Sequence, residues 1–372
     1  MSPSLLISAG GTGGGIYPAL TVAESLRRLD PDISLHFVGS AGGMEAKLVP
    51  RDLFIAYHEV QSGPLNGVGV LRAALSAVKL GIGILQSIGL IFRLHPAGLF
   101  LTGGWATFPV ALACWLLHVP ITIYVPDIEP ALAIKFLSRL AQVITVTTAD
   151  SVSYFPASIP RKRIVETGYP LRPPMLTATR TDAIQHFDLD PTRKTLLVWG
   201  GSRGARSINE ALGAILPDLL GDGLQVIHVS GELDWGTVQA RRDWLSDTEK
   251  PHYHAFPYLH DDMALAFAAA DLAVSRGGAS SLGEYPHFGL PAILVPYPYA
   301  WRYQKVNADW LASRGAAMRL EDEALRTDLL PTIRGLIGDP AGLKVLQEAS
   351  HKLDRADAAD TIARSVIKLI KP

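Results

Sequence analysis

Three stretches of this 372-residue sequence place glycines beside small hydroxyl residues where an apolar run gives way to a helical pattern. They are Gly10-Gly11-Thr12-Gly13-Gly14-Gly15, the run from Trp199 through Gly200-Gly201-Ser202-Arg203-Gly204 to Asn209, and Ser275-Arg276-Gly277-Gly278-Ala279-Ser280-Ser281-Leu282-Gly283-Glu284. At such a join the exposed amides and the positive end of the helix dipole converge, and residues without side chains let a phosphate or diphosphate approach them closely. The first stretch fits neither GxxxxGK[ST] nor a clean GxGxxG, so it is neither a phosphate loop of the Lys type nor a dinucleotide fingerprint. Alone it would pass for a tight turn. Three glycine-lined strand ends in one chain point instead to a ligand that carries a diphosphate.

The elements that must position these loops alternate regularly. LLISAG (5–10), SLHFVG (34–39), GLFLTG (98–103), ITIYV (121–125) and VITVTT (143–148) are short, β-rich and mostly continuous in hydrophobicity, as in a parallel sheet buried on both faces. Helical patterns lie between them, one from Pro18 to Leu29. Three prolines within residues 168–174 interrupt the rhythm, which restarts with TLLVWGGS (195–202), QVIHVSG (225–231), HYHAFPYL (252–259), LAVSRGG (272–278) and AILVPYP (292–298). The expectation is an α/β protein of two doubly wound, Rossmann-like domains facing across a cleft. Residues 1–167 form the first, 168–175 the linker and 176–372 the second, with the last helix a candidate to pack back on the first domain.

Composition removes several function classes. The 34 basic and 35 acidic residues give a net charge of -1 without a long charged run, which argues against nucleic acid as a partner. The single cysteine, Cys114, excludes an internal disulfide and a multi-cysteine metal site; its apolar surroundings make it a buried small hydrophobe. No metal-ligand cluster stands out, and no cofactor is expected. The first residues lack a basic n-region and run straight into a strand, so the cytoplasm is the default compartment. Residues 71–94 are helix-like and strongly apolar, but Lys79 and Arg93 bracket only thirteen uncharged residues, fewer than the roughly 20 that span a bilayer. Two readings stay open for this segment. It lies in the membrane interface, with Arg72, Lys79 and Arg93 meeting lipid phosphates and Ile88, Leu90 and Ile91 in an apolar patch, or it is buried against the first sheet.

The ordered set GGTGGGIYPAL (10–20), GSAGGMEAKLVP (39–50), LTGGW (101–105), GYPLR (168–172), GGSRGARSIN (200–209), DDMALAFAAADLAVSRGGASSLGE (261–284), GLPAILVPYP (289–298) and QKVNA (304–308) resembles the MurG family. These are the glycosyltransferases of family 28, with the GT-B fold, that add N-acetylglucosamine to lipid I in peptidoglycan synthesis. The resemblance covers nearly the whole chain. It implies an inverting transfer from UDP-N-acetylglucosamine to an undecaprenyl-linked acceptor, with peripheral membrane contact at the cytoplasmic face and no essential metal. It also implies site residues. Ser202, Arg203 and the amides of Gly201 to Gly204 would hold donor phosphate, as would Gly277, Gly278, Ala279 and Ser280; Glu284 would accept from ribose hydroxyls. Backbone near Leu259 and His260 would receive uracil, Arg172 would lie near the donor, and Gln304 and Asn307 would read sugar hydroxyls. Gly11, Thr12, Gly13, Gly14, Gly15 and Tyr17, with Gly103 and Gly104, would face the acceptor's diphosphate.

The departures fall on the acceptor side and near the donor sugar. The family closes its first glycine loop with a histidine proposed as general base, where this chain has Gly15. It reads His-Glu-Gln-Asn where this chain has Tyr124-Val125-Pro126-Asp127, and Trp301 and Tyr303 replace the acidic and aromatic positions ahead of Gln304. Asp127 becomes the candidate base, because it follows a strand whose end a doubly wound sheet can aim at the same crevice; Glu129 is second and Tyr17 third. The competing role for Asp127 is to cap a helix starting near Pro130. Three functions remain open: the standard reaction, a related UDP-sugar transferase with another lipid or sugar acceptor, and a nucleotide-sugar-binding homologue without turnover.

Overall fold

The computed structural model describes residues 3–10, 13–43, 45–49, 55–64, 68–201, 204–299 and 302–371. The chain divides into two units, Met1–Arg172 with Ala356–Pro372, and Pro173–Arg355.

The first unit is built on seven parallel strands: β1 (Ser4–Ala9), β2 (Ser34–Ser40), β3 (Ile55–Val60), β4 (Gly98–Gly103), β5 (Ile121–Val125), β6 (Val143–Val146) and β7 (Ile164–Glu166). They pair in the order β3-β2-β1-β4-β5-β6-β7. Among the described residues the α-helices between them are α1 (Gly13–Leu29), α2 (Glu45–Leu48), α3 (Val70–Leu94), α4 (Thr107–Leu116) and α5 (Leu132–Leu137). The central strands are buried on both faces, which is why they read as unbroken apolar runs; Leu5, Leu6 and Ile7 are all fully enclosed. Cys114 is buried as well, and burial pushes its thiol up to about 12.

Helix α1 starts at Gly13, one turn and more before the expected Pro18. Gly13, Gly14 and Gly15 of the glycine run therefore form the first turn of the helix. Glycine is a poor helix former, but Ile16, Ala19, Val22, Ala23 and Leu26 bury a full stripe, and tertiary packing overrides propensity.

Helix α3 is amphipathic in an unusual sense. Its inner stripe is small or hydroxylated at Ser76, Gly83 and Ser87, alternating with Leu80, Leu90 and Ile91, while Leu71, Leu75, Val78, Ile82, Leu85 and Phe92 face solvent. A Cβ at Gly83 would lie 2.1 Å from the Gln61 carbonyl, so glycine is needed for this close approach. The expected patch of Ile88, Leu90 and Ile91 is corrected: Leu90 and Ile91 pack into the core with Ile88 against it. By length and composition the helix could cross a bilayer, yet one face of it is built into the unit.

The second unit carries six parallel strands: β8 (Thr195–Trp199), β9 (Gln225–Val229), β10 (Tyr253–Phe256), β11 (Leu272–Ser275), β12 (Ala292–Leu294) and β13 (Ala317–Arg319). Their order is β10-β9-β8-β11-β12-β13. Helices α6 (Pro173–Thr177), α7 (Arg180–Phe187), α8 (Arg206–Gly221), α9 (Trp235–Asp243), α10 (Met263–Ala269), α11 (Ser281–Phe288), α12 (Tyr303–Ser313), α13 (Leu325–Ile337) and α14 (Pro340–His351) surround the sheet. The last helix, α15 (Ala358–Ile370), belongs to the first unit: Ile362, Ala363 and Val366 share a core with Leu5, Ile7, Ile16 and Leu26. Arg28 pairs with Asp360 and Lys371 with Asp30 at its rim.

Candidate functional site

Strand order reverses once in each sheet, between β1 and β4 in the first unit and between β8 and β11 in the second. Outside the carboxyl ends of strands at such a point, open α/β sheets hold their ligands. The three glycine stretches identified from sequence follow β1, β8 and β11, and Gly103 and Gly104 stand at the end of β4.

In the second unit, Gly201 and Gly204 adopt positive φ of 82° and 75°, a conformation that other residues rarely take. A Cβ on Gly204 would also sit 2.3 Å from the Ser230 carbonyl oxygen. Gly277 and Gly278 divide two tasks. A Cβ at Gly277 would collide with the Gln304 carbonyl at 2.5 Å, whereas one at Gly278 would meet nothing within 4 Å, so the first glycine permits packing and the second keeps an approach open. Among the described residues the amides of Gly278, Ala279 and Ser280 have no backbone acceptor, which leaves them for an anion at the start of α11. Glu284 lies in the first turn of that helix and is only 9% exposed. Ser202 and Arg203 lie outside the described residues.

Other expected contacts resolve individually. Leu259 is buried, and His260 holds a left-handed φ of 45° with its ring edge-on to Tyr258, a backbone strain of the kind that collects at binding sites. The Gln304 side-chain oxygen accepts from the Tyr297 amide at 2.9 Å, which fixes the orientation of its NH2 group as a donor. Asn307 is 0% exposed and donates to the Gly277 carbonyl at 3.2 Å. Its expected contact with a sugar hydroxyl is replaced by bracing of the turn from behind, because a fully enclosed amide cannot meet a ligand.

Sequence reasoning missed the side chains that tie these loops together. The Arg276 guanidinium, nearly buried, donates to Ser207 Oγ at 2.8 Å and the Val295 carbonyl at 3.1 Å, pairs with Asp322, and lies 5.2 Å from the Tyr297 ring. Ser207 donates in turn to Asp322 at 2.7 Å. One arginine thus links the start of α8 with the loops after β11, β12 and β13. A second brace joins α8 to β9 and β10: Asn209 donates to the Ser230 carbonyl and accepts at its oxygen from His228, both at 2.9 Å, and His228 also meets the Tyr253 hydroxyl at 2.7 Å. Burial pushes His228 down to about 3, so it stays neutral there. Arg276 stood inside a recognised motif, but Asp322 had no local signal, since it meets Arg276 only through the sheet order.

In the first unit the loops touch backbone to backbone. Gly103 and Gly104 have φ of 131° and 98°, and a Cβ on Gly104 would lie 2.7 Å from the Gly10 carbonyl group. Thr102 Oγ1 donates to the Gly15 carbonyl and Thr107 Oγ1 to the Gly104 carbonyl, both at 2.7 Å. Glu45, also missed, is buried behind Gly10 and accepts from the Ser40 amide at 2.7 Å. Tyr17 packs over Gly13 and lies 5.2 Å from the Arg172 guanidinium. Gly14 is exposed and Gly15 half-buried; Gly11 and Thr12 lie outside the described residues.

The two carboxylates after β5 differ sharply. Glu129 is 3% exposed and paired with Lys135 Nζ at 3.0 Å, so its charge is committed to that ammonium and its candidacy as a base is withdrawn. Asp127 is half-buried in the bend that follows β5, and its charge adds to the burial that raises the Tyr124 phenol. Helix α5 takes Ala131 as its N-cap, not Asp127, so the capping role is also removed.

Comparison with known proteins matches this division. The Glycosyltransferase family 28 N-terminal domain corresponds to residues 5–146 and the Glycosyltransferase family 28 C-terminal domain to residues 195–362. A protein of Roseiflexus sp. (strain RS-1) is 38% identical over 95% of this chain and 92% of its own length. One of Desulforudis audaxviator (strain MP104C) is 36% identical over 98% of both. Each is named UDP-N-acetylglucosamine--N-acetylmuramyl-(pentapeptide) pyrophosphoryl-undecaprenol N-acetylglucosamine transferase. The crystal structure of Acinetobacter baumannii MurG superposes with a TM-score of 0.76 at 25% identity, covering 99% of this chain and 100% of that one. A UDP-glucosyltransferase from Polygonum tinctorium shares the fold alone, with a TM-score of 0.74 at 14% identity and coverage of 100% and 99%. Since the likeness runs through both units and through the loops at both strand reversals, the chain belongs to the MurG family within glycosyltransferase family 28.

Proposed function

We propose that this protein transfers N-acetylglucosamine from UDP-N-acetylglucosamine to undecaprenyl-pyrophosphoryl-N-acetylmuramoyl-pentapeptide, converting lipid I to lipid II. The observation that carries the reading is the glycine-lined strand reversal in each unit, one of them completed by the buried Glu284. The donor diphosphate rests on the amides of Gly278 to Ser280 and on the loop ending at Gly204, while Glu284 accepts from ribose hydroxyls. The acceptor hydroxyl attacks the anomeric carbon on the face opposite UDP, and Asp127 takes its proton. As the glycosidic bond to UDP breaks, charge grows on the diphosphate, where amides and helix N-termini already fixed by Arg276 and Asn307 stabilise it without reorganisation.

The outer stripe of α3 is the proposed contact with the cytoplasmic face of the membrane. Leu71 is 77% exposed and Leu85 71%, Arg72, Lys79 and Arg93 are exposed alongside, and the helix carries no acidic residue. Changing Leu75 and Leu85 to glutamine is expected to lower sedimentation with anionic vesicles while thermal stability holds; unchanged sedimentation overturns the contact.

The reaction itself is tested by incubating labelled UDP-N-acetylglucosamine with a lipid I analogue and identifying the product by mass spectrometry. A lipid II analogue supports the proposal. Transfer to another lipid or sugar acceptor only, or donor binding with neither transfer nor hydrolysis, overturns it.

A further inference from the structure

A cavity of about 450 Å³ lies between the edge strand β3 and the C-terminal half of α3, and the transfer chemistry makes no use of it. Residues 57–60 form one wall, and Gln86, Gly89, Leu90 and Arg93 the other. Leu90 and Val60 are buried and give it an apolar floor. Gly89 keeps it open, because a Cβ there would meet nothing within 4 Å.

The polar groups around this floor have fixed roles. Gln86 accepts from the Gln61 amide at 2.7 Å, which leaves its side-chain nitrogen to donate. His58 Nε2 meets His36 Nδ1 at 3.2 Å, so Nδ1 is the ring nitrogen left for another partner. Burial keeps both histidines below their ordinary range, and the Arg93 guanidinium reinforces this. Arg93 and Glu59 both line the cavity, and no ion pair joins them among the described residues. A guanidinium and a carboxylate share a water-accessible site of ligand size. On α3 itself, Leu85 and Phe92 adjoin Gln86 and Arg93 and belong to the exposed apolar stripe.

We propose that this cavity is a headgroup subsite for a phosphoethanolamine lipid. Its phosphate pairs with Arg93 and the donors of His58 and Gln86, its ammonium with Glu59, and its acyl chains run along Leu85 and Phe92. The subsite rests on the reading that α3 lies at a membrane surface. Glu59 gives it selectivity: a primary ammonium donates hydrogen bonds to the carboxylate, a quaternary choline cannot, and a glycerol headgroup brings no cation.

The test compares sedimentation of the full chain with vesicles of phosphatidylcholine alone, and with phosphatidylethanolamine or phosphatidylglycerol added. Phosphatidylethanolamine is expected to raise binding over phosphatidylcholine by about 5-fold, the upper range for an exposed ion pair. Glu59→Gln should remove that gain and keep the response to phosphatidylglycerol, while Arg93→Gln should weaken both. Binding to phosphatidylglycerol vesicles with no gain from phosphatidylethanolamine overturns the subsite and leaves the membrane reading standing. If no vesicle binds, calorimetry with soluble dihexanoyl-phosphatidylethanolamine decides: saturable heat that Glu59→Gln abolishes supports the subsite, and absence of heat overturns it. Free O-phosphoethanolamine binding as tightly as the dihexanoyl lipid overturns the acyl-chain component.

Discussion

At the β8/β11 reversal, Arg276 reaches across to Ser207, Val295 and Asp322, and Asn209 ties in the strand beyond; at the β1/β4 reversal, Gly10 and Gly104 meet backbone to backbone under two threonine hydroxyls. Both arrangements hold two glycine loops at a strand reversal, but by different means. In the second unit a charged side-chain network ties the loops together. In the first unit the loops hold each other directly, through backbone contact and two threonine hydroxyls. Gly15, where the family has a histidine, lies in the first turn of α1 with its carbonyl held by Thr102.

Removing the carboxylate proposed as the base should have the largest effect. Asp127→Asn preserves shape but cannot accept a proton, and turnover should fall about 10²-fold or more with UDP affinity unchanged. A folded variant with near wild-type turnover would separate Asp127 from the reaction. The nucleotide side is probed by Glu284→Ala, for which UDP binding measured by calorimetry should weaken by roughly 1.5 to 3 kcal/mol, the range for hydrogen bonds to a charged group. Unchanged UDP affinity in the folded protein would take Glu284 out of the site.

Smaller effects sharpen the contrast. Asp322→Asn leaves Arg276 with its bonds to Ser207 and Val295 but without its counter-charge; UDP affinity should shift by about 5-fold, as for a partly screened ion pair. No change in UDP affinity would show that the network does not shape the phosphate seat. The mildest change is Gly15→His. A Cβ at this position would lie 3.4 Å from Thr102 Oγ1 and 3.5 Å from the Gly10 carbonyl, ordinary contacts, and φ is not left-handed, so the first turn of α1 has room for a Cβ here. The variant is expected to fold with unchanged melting temperature and, in an Asp127→Asn background, to recover part of the lost turnover. A variant that unfolds would show the two reversals to be equally intolerant.

How much of this was legible in the sequence depends on burial. Strands enclosed on both faces announced themselves as continuous apolar runs, whereas β3, β7 and β13 did not. All three sit at sheet edges, where partial exposure lets polar residues such as His58, Glu59, Glu166 and Arg319 enter the strand. For α3, periodicity announced a helix but not its orientation. Apolar residues line both sides, and the inward face is marked only by Ser76, Gly83 and Ser87, whose small size matters for close packing and not for hydrophobicity. The glycine loops were readable because conformation and close approach restrict them to one residue type. Asp322, Glu45 and the Lys135 partner of Glu129 were not, since each acts through a neighbour that only the folded chain supplies.

The return of the chain through α15 sets an order on synthesis. Ile362, Ala363 and Val366 complete the layer that covers Leu5, Ile7 and Ile16, yet they leave the ribosome after all of residues 173–355. While the second unit emerges, the first must therefore wait with one apolar flank wet, and closing it joins segments more than 300 residues apart, a slow long-range step. A nascent chain interrupted anywhere before Ala358 carries that uncovered flank, so a truncated product is marked by its own exposed core for chaperone capture or degradation.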